Sequence, residues 1–205
     1  MDRVINDVSQ ADEFVISHAE DANYFSYPLF YAEIAANPDM RTLVEVGSWK
    51  GHSIRHLAKE LLKHKASFEL YAVDAWEKTP DVDLAPLQGQ IARIYDIYNY
   101  NLLNAGVRTS VFDLKGISWE TARFFKDNVL DFVFIDAGHN YTEVYKDIEA
   151  WLPKVREGGV LAGHDWHHPP VKQAIEDLLW EYQVSEDKNA EDVWSMVKTK
   201  VLQKD

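Results

Sequence analysis

The sequence predicts an α/β protein, with a mostly parallel sheet, helices on both faces and a late antiparallel strand. Two observations carry this. Short β-branched or aromatic runs alternate with segments of helical period, which is the signature of stacked βα units. The run Phe132-Val133-Phe134-Ile135 is apolar on both faces, as a central parallel strand is.

The elements follow in order. The first 40 residues read as a helical segment packed on the core, punctuated by Pro28 and Pro38, and residues 41–205 carry the sheet. Strands are expected at 42–46, 68–74, 109–113, 131–136, 159–163 and 193–199. The last, with Val193-Trp194-Ser195-Met196-Val197 at its start, is the antiparallel one. Between them run amphipathic stripes: Ile54, Leu57, Ala58, Leu61 and Leu62; then Leu87, Ile91, Ile94, Tyr95, Tyr98 and Leu102. Val144, Ile148, Trp151 and Leu152 form a third stripe, and Val171, Ala174, Ile175, Leu178 and Leu179 a fourth. These are core faces. The stretch 75–90 has no period, carries Thr79-Pro80 and Ala85-Pro86, and follows a strand's carboxyl end, so it is a lid candidate as much as a plain surface loop.

Composition narrows the function. With 205 residues one domain is expected, and 46% apolar content is enough to bury a core. The net charge is −13, and no basic patch offsets it, so nucleic acid and anionic membrane are not expected partners. The densest basic stretch, Lys59 to Lys65, reads as the exposed side of a helix. The absence of cysteine excludes disulfides, thiolate metal sites and a cysteine nucleophile. No apolar run approaches the ~18 residues of a membrane span, and Met1 to Asp7 lacks the pattern of a secretion signal, so a cytoplasmic globule is expected. Eight histidines remain to be explained.

The most informative segment is Leu43-Val44-Glu45-Val46-Gly47-Ser48-Trp49-Lys50-Gly51-His52-Ser53: a strand ending in an acid, a glycine turn and a helix start. A dinucleotide fingerprint from Gly47 would need glycines where Trp49 and His52 stand. A phosphate-gripping loop would need wider glycine spacing and a Lys-Ser/Thr pair. What fits is a ligand with no phosphate to cradle, whose cationic or hydroxyl groups meet an acid. Asp74 ends the second strand, where a ribose diol finds an acceptor or where a turn finds a cap. Asp136 ends the fourth strand with His139 just beyond it, and His164 and Asp165 end the fifth. Neighbouring strands should bring them together, a set that suits Mg²⁺ or Mn²⁺. His167-His168-Pro169-Pro170 reads as a solvated loop leading into a helix.

Taken with Asp131 to Tyr141 and the run from Trp151 to Asp165, these motifs resemble a class I S-adenosylmethionine-dependent methyltransferase. The resemblance is to the small bacterial and phage branch similar to macrolide and sugar O-methyltransferases, and it covers about residues 27–181. It implies a Rossmann-like seven-stranded sheet and a methyltransferase domain over 41–205. It implies that Glu45 and the turn Gly47, Ser48, Trp49 and Gly51 hold the methionine end. Ser53 would bind its carboxylate or act as an ordinary helix-start hydroxyl. It further implies that Asp74 accepts the ribose hydroxyls and that Ser118 contacts the adenine, although Ile117 stands where many members carry an acid. Metal-dependent members place ligands at the ends of the fourth and fifth strands, here Asp136, His164 and Asp165, with Asp136 also beside the cofactor. The second site departs from the usual Asp-Asp or Asp-Asn in having His then Asp. His139 would take the acceptor's proton.

Two alternatives stay open at this level. One is a metal-independent N- or O-methyltransferase in which His139 or His164 is the base. The other is a non-catalytic cofactor-binding scaffold, ranked lower because Glu45, Gly47, Gly51 and Asp74 are all present. The acceptor is expected to be a small molecule, with the 75–90 stretch, Tyr24, Tyr27 or Trp166 around it. The N-terminal helical segment is a candidate homo-oligomer interface.

Overall fold

The computed structural model describes residues 5–19, 25–77 and 88–199. The lid candidate lies mostly outside them, as does Tyr24. Along the chain run helices α1 (Glu13–Ala19) and α2 (Pro28–Ala36), strand β1 (Thr42–Val46), α3 (His52–His64), β2 (Glu69–Asp74), α4 (Gln88–Ile91), α5 (Ile94–Asn104) and β3 (Phe112–Lys115). Then come α6 (Ser118–Thr121), β4 (Leu130–Ile135), α7 (Tyr141–Trp151), β5 (Val155–Gly163), α8 (Pro169–Leu178), β6 (Ser185–Glu186) and β7 (Trp194–Val197).

The strands form one seven-stranded sheet in the order β3-β2-β1-β4-β5-β7-β6. β1 to β5 are parallel, and β7 runs antiparallel to both β5 and β6. From β1 the chain builds outward to β2 and β3; it then returns to place β4 on the other flank of β1. That reversal opens a crevice beyond the carboxyl ends of β1 and β4, where open parallel sheets bind ligands.

Alternation along each strand divides the core in two. Leu43, Leu70, Ala72, Phe132, Phe134 and Ala162 face α2, α3 and α5. Val44, Val46, Val73, Val133, Ile135 and Leu161 face α7 and α8. All are wholly or nearly wholly buried, and each Val, Leu, Ile and Phe among them contributes roughly 1.5–3 kcal/mol. α1 packs separately on α5 through Val15, Ala19 and Ile97. Among the described residues no helix is long and apolar enough to cross a membrane.

Several expected boundaries shift. β3 starts three residues later than expected, because Arg108–Ser110 forms a 3-10 turn. β5 begins at Val155, where a register irregularity between Leu130 and Phe132 lets the Gly158-Gly159 stretch turn before pairing resumes at Val160. β7 is shorter than the expected 193–199. β6, two residues long, was not among the expected strands: Ser185-Glu186 has no alternation to read.

Candidate active site at the carboxyl edge of the sheet

β1 ends in a turn that only glycine can make. Gly47 has φ +90°, and a Cβ there would lie 1.9 Å from the carbonyl oxygen of Asp136. Its N–H donates to the Val73 carbonyl at 2.8 Å, so the turn is stitched to β2 as it passes β4. Gly51 has φ +79° and sits against Leu102 and Tyr98 of α5, which lets α3 start close to its neighbour.

Asp74 holds this turn from the next strand. Its carboxylate accepts the Trp49 N–H at 2.8 Å and the Trp76 N–H at 2.6 Å, and the Trp76 indole N–H donates to the Trp49 carbonyl at 3.1 Å. Both tryptophans have positive φ, a conformation these bonds stabilise. Burial raises the Asp74 pKa, opposed by the backbone amides of Trp76, Trp49 and Ser48. Asp74 therefore joins two turns whatever else it binds.

Glu45 is fully buried beneath the turn. It accepts hydrogen bonds from the Tyr31 hydroxyl at 2.7 Å and the Ser53 hydroxyl at 3.0 Å. Burial outweighs these bonds and pushes its pKa up to about 8. Ser48 is buried too, with its hydroxyl beside the Glu45 carboxylate. Lys50, which sequence reasoning passed over, is also buried; its Nζ donates to the His18 carbonyl at 3.1 Å and draws the end of α1 over the turn. Asn101 supports the same junction, donating to the carbonyls of Lys50 (2.8 Å) and Ala19 (3.1 Å). Buried cation and carboxamide, inside a segment of otherwise ordinary composition, left no pattern to read.

The second half of the edge is a cluster. Asp136 stands one residue past β4, its N–H on the Val46 carbonyl at 2.8 Å. His139 Nε2 lies 3.0 Å from Asp165 Oδ2 and 3.9 Å from Asp136 Oδ1. His164 Nδ1 is 3.4 Å from the same Asp165 oxygen, and the Asp165 backbone has φ +60°. Asp136 and Asp165 raise the half-exposed His139 to about 10 against the effect of burial. Against burial, His139 and His164 hold Asp165 below the usual carboxylate range. Burial likewise opposes, but does not reverse, the rise that Asp165 and Asp136 impose on His164.

The ligand atoms fall into two sets, Asp136, His139 and Asp165, and His164, Asp165 and Asp192. Asp136 and His164, expected together as metal ligands, thus stand in different sets, and His139, expected as the base, stands with Asp136. Asp192, on the β6–β7 connection, was not foreseen. A cleft opens here, lined by Asp136, Gly138, His139, His164, Asp165 and Trp194.

Ser118 turns elsewhere. As the first residue of α6 it donates its hydroxyl to Asp147 of α7. Asp147 is fully buried, its second oxygen lacks a partner among the described residues, and burial pushes its pKa up to about 7. His167 and His168 are exposed at the turn into α8, as expected, with His167 paired to Glu186 at 2.9 Å. His52 is partly buried beside Arg55, and burial lowers it to about 4.

No curated protein matches the chain. Many solved structures share its fold, among them three at low identity. The O-methyltransferase NovP is 17% identical with a TM-score of 0.67, over 85% of this chain and 80% of that one. TomG, an O-methyltransferase from Streptomyces achromogenes involved in tomaymycin synthesis and solved with SAM, is 16% identical with a TM-score of 0.66, over 93% and 92%. CalS11, a TDP-rhamnose 3′-O-methyltransferase of calicheamicin biosynthesis, is 11% identical with a TM-score of 0.58, over 90% and 91%. The family model described as "Methyltransferase domain" matches residues 44–166, from the strand carrying Glu45 to the turn beyond Asp165. That span contains both halves of the crevice, and the chain belongs to the methyltransferase-domain family.

Proposed function

We propose that the protein transfers a methyl group from S-adenosylmethionine to a hydroxyl of a cytoplasmic small molecule of sugar or natural-product type, with a divalent metal assisting. The observation that carries this is the meeting of Asp136, His139 and Asp165 beside the Gly47 turn. The likeness to TomG, solved with SAM, and to CalS11, a TDP-rhamnose 3′-O-methyltransferase, supports the cofactor and the acceptor class.

In this reading the turn Gly47–Gly51 and Ser53 take the methionine end, Asp74 the ribose and the Ser118 turn the base. Ser53 donates to Glu45, so its hydroxyl can face a ligand carboxylate only when Glu45 itself carries the proton. S-adenosylmethionine supplies the methyl on a sulfonium, and alignment is then most of what the protein contributes. The carboxylates of Asp136 and Asp165, with the His164 imidazole beside Asp165, would hold Mg²⁺ or Mn²⁺, and such an ion would supply a lowered hydroxyl pKa. His139 Nε2 takes the acceptor proton. Asp136 and Asp165 raise its pKa, and a cation engaging those carboxylates would lower it toward the range a base needs.

The 3.0 Å His139–Asp165 pair favours a second reading, in which the carboxylate orients the histidine without a metal. Crystals grown with S-adenosylhomocysteine and Mn²⁺ should show anomalous density between Asp136 and Asp165. Labelled methyl transfer to a panel of sugar and natural-product hydroxyls should stop in excess EDTA. Full activity in EDTA would leave the metal-free reading.

A further inference from the structure

Helix α2 opens with Pro28 at its first position, and Tyr27 and Tyr31 stand one turn apart at that opening. Both rings are buried on the sheet face of Phe132 and Phe134, edge to face with each other at 5.1 Å. Their hydroxyls reach different strands. Tyr31 donates to Glu45 Oε2 at 2.7 Å, whereas Tyr27 donates to Asp136 Oδ2 at 2.9 Å. The register that pairs Glu45 with Phe134 carries Gly47 alongside Asp136, so the two acids follow one another on a single face. The adjoining Ser26 hydroxyl lies 3.2 Å from His164 Nε2. Residues 26–31 thus touch one functional side chain at the end of each of β1, β4 and β5.

Phenylalanine fills this cluster at 25, 30, 132 and 134, so packing alone does not call for hydroxyls at 27 and 31. A buried phenol is stable where it finds an acceptor, and here each acceptor is an acid of the crevice. Tyr27 also selects between the Asp136 oxygens: it takes Oδ2 and leaves Oδ1 facing His139.

We propose that the opening turn of α2 is a two-armed positioning element. Tyr27 orients Asp136 in the metal and acceptor half, and Tyr31 orients Glu45 in the cofactor half, so one helical turn sets the spacing between them. This rests on the division of the crevice given under Proposed function. Neither tyrosine touches a reacting group; each acts through its acid.

The test measures Mn²⁺ binding by electron paramagnetic resonance and S-adenosylhomocysteine binding by calorimetry, in wild type, Tyr27→Phe and Tyr31→Phe. Tyr27→Phe should weaken Mn²⁺ about tenfold or more, as loss of a ligand's supporting hydrogen bond does, with S-adenosylhomocysteine within about twofold. Tyr31→Phe should weaken S-adenosylhomocysteine about five- to tenfold and leave Mn²⁺ within about twofold. In an Asp136→Asn background, Tyr27→Phe should add no further loss of Mn²⁺ affinity. Equal weakening of both ligands by both variants would mean general loosening and overturn the proposal, as would unchanged Mn²⁺ affinity in Tyr27→Phe. A wild type that takes no Mn²⁺ would overturn the metal reading and the Tyr27 arm with it, leaving the Tyr31 arm to be judged on S-adenosylhomocysteine alone.

Discussion

The carbonyl oxygen of Asp136 lies 1.9 Å from where a β-carbon on Gly47 would stand. The residue that turns β1 and the residue just past β4 therefore meet at backbone distance, and the two halves of the crevice meet at this point.

Gly47→Ala should consequently cost more than its backbone conformation alone. A left-handed alanine costs roughly 1–2 kcal/mol, and Gly106→Ala, at φ +72° with nothing within 4 Å, should cost only that. Gly47→Ala adds a clash with backbone that no rotamer relieves. Urea unfolding should show a loss of at least about 3 kcal/mol. Equal losses at the two positions would show that the contact can relax.

Asp74→Ala should damage two turns at once. It removes the acceptor of the Trp49 and Trp76 N–H groups, each held at positive φ behind it. Leaving those amides without their partner should cost about 1–3 kcal/mol, and S-adenosylhomocysteine affinity should fall more than tenfold. Asp74→Asn keeps one acceptor oxygen and should fall between. If Asp74→Ala melts like wild type while losing affinity, the carboxylate serves the ligand and not the turns.

The legible parts of this site were those that repeat or punctuate. Val44 and Val46 flank Glu45 ahead of a glycine turn, and Phe132 to Ile135 is apolar on both faces and closed by Asp136, so these strands and their ends could be read directly. Gly47 and Gly51 marked the turn for the same reason. Tyr27 and Tyr31 were not legible as partners of Asp136 and Glu45, because an aromatic on a helix stripe reads as core and its hydroxyl is silent on direction. Lys50 and Asp147 were missed because burial of a charged side chain depends on tertiary partners, among them the His18 carbonyl and the Ser118 hydroxyl. The start of β3 was misread because Thr109 and Val111 imitate strand alternation inside a 3-10 turn and its exit.

Metal removal should separate binding from turnover. Protein treated with EDTA should bind S-adenosylhomocysteine within about twofold of untreated protein while losing methyl transfer. Mn²⁺ at a hundredfold excess over its dissociation constant should stabilise the fold by about 2.7 kcal/mol. Asp165→Asn should abolish that stabilisation, since Asp165 belongs to both ligand sets. A wild type whose melting temperature ignores Mn²⁺ would exclude a bound ion.

Asp147 should make stability depend on pH in a direction opposite to most carboxylates. Burial raises its folded pKa to about 7, whereas the exposed value is 3.8. Between those values the folded state holds the proton and the unfolded state has released it. Stability therefore falls as pH rises through this window and levels off above it. Asp147→Asn keeps an acceptor for Ser118 but cannot ionise. Glu45 titrates in the same direction, but it is present in both proteins and cancels in their difference. From pH 5 to pH 9, urea unfolding should show the variant gaining about 3 kcal/mol relative to wild type. A difference that stays constant across that range would mean that the buried carboxyl is ionised throughout, and that the Ser118 bond alone is enough to hold its charge.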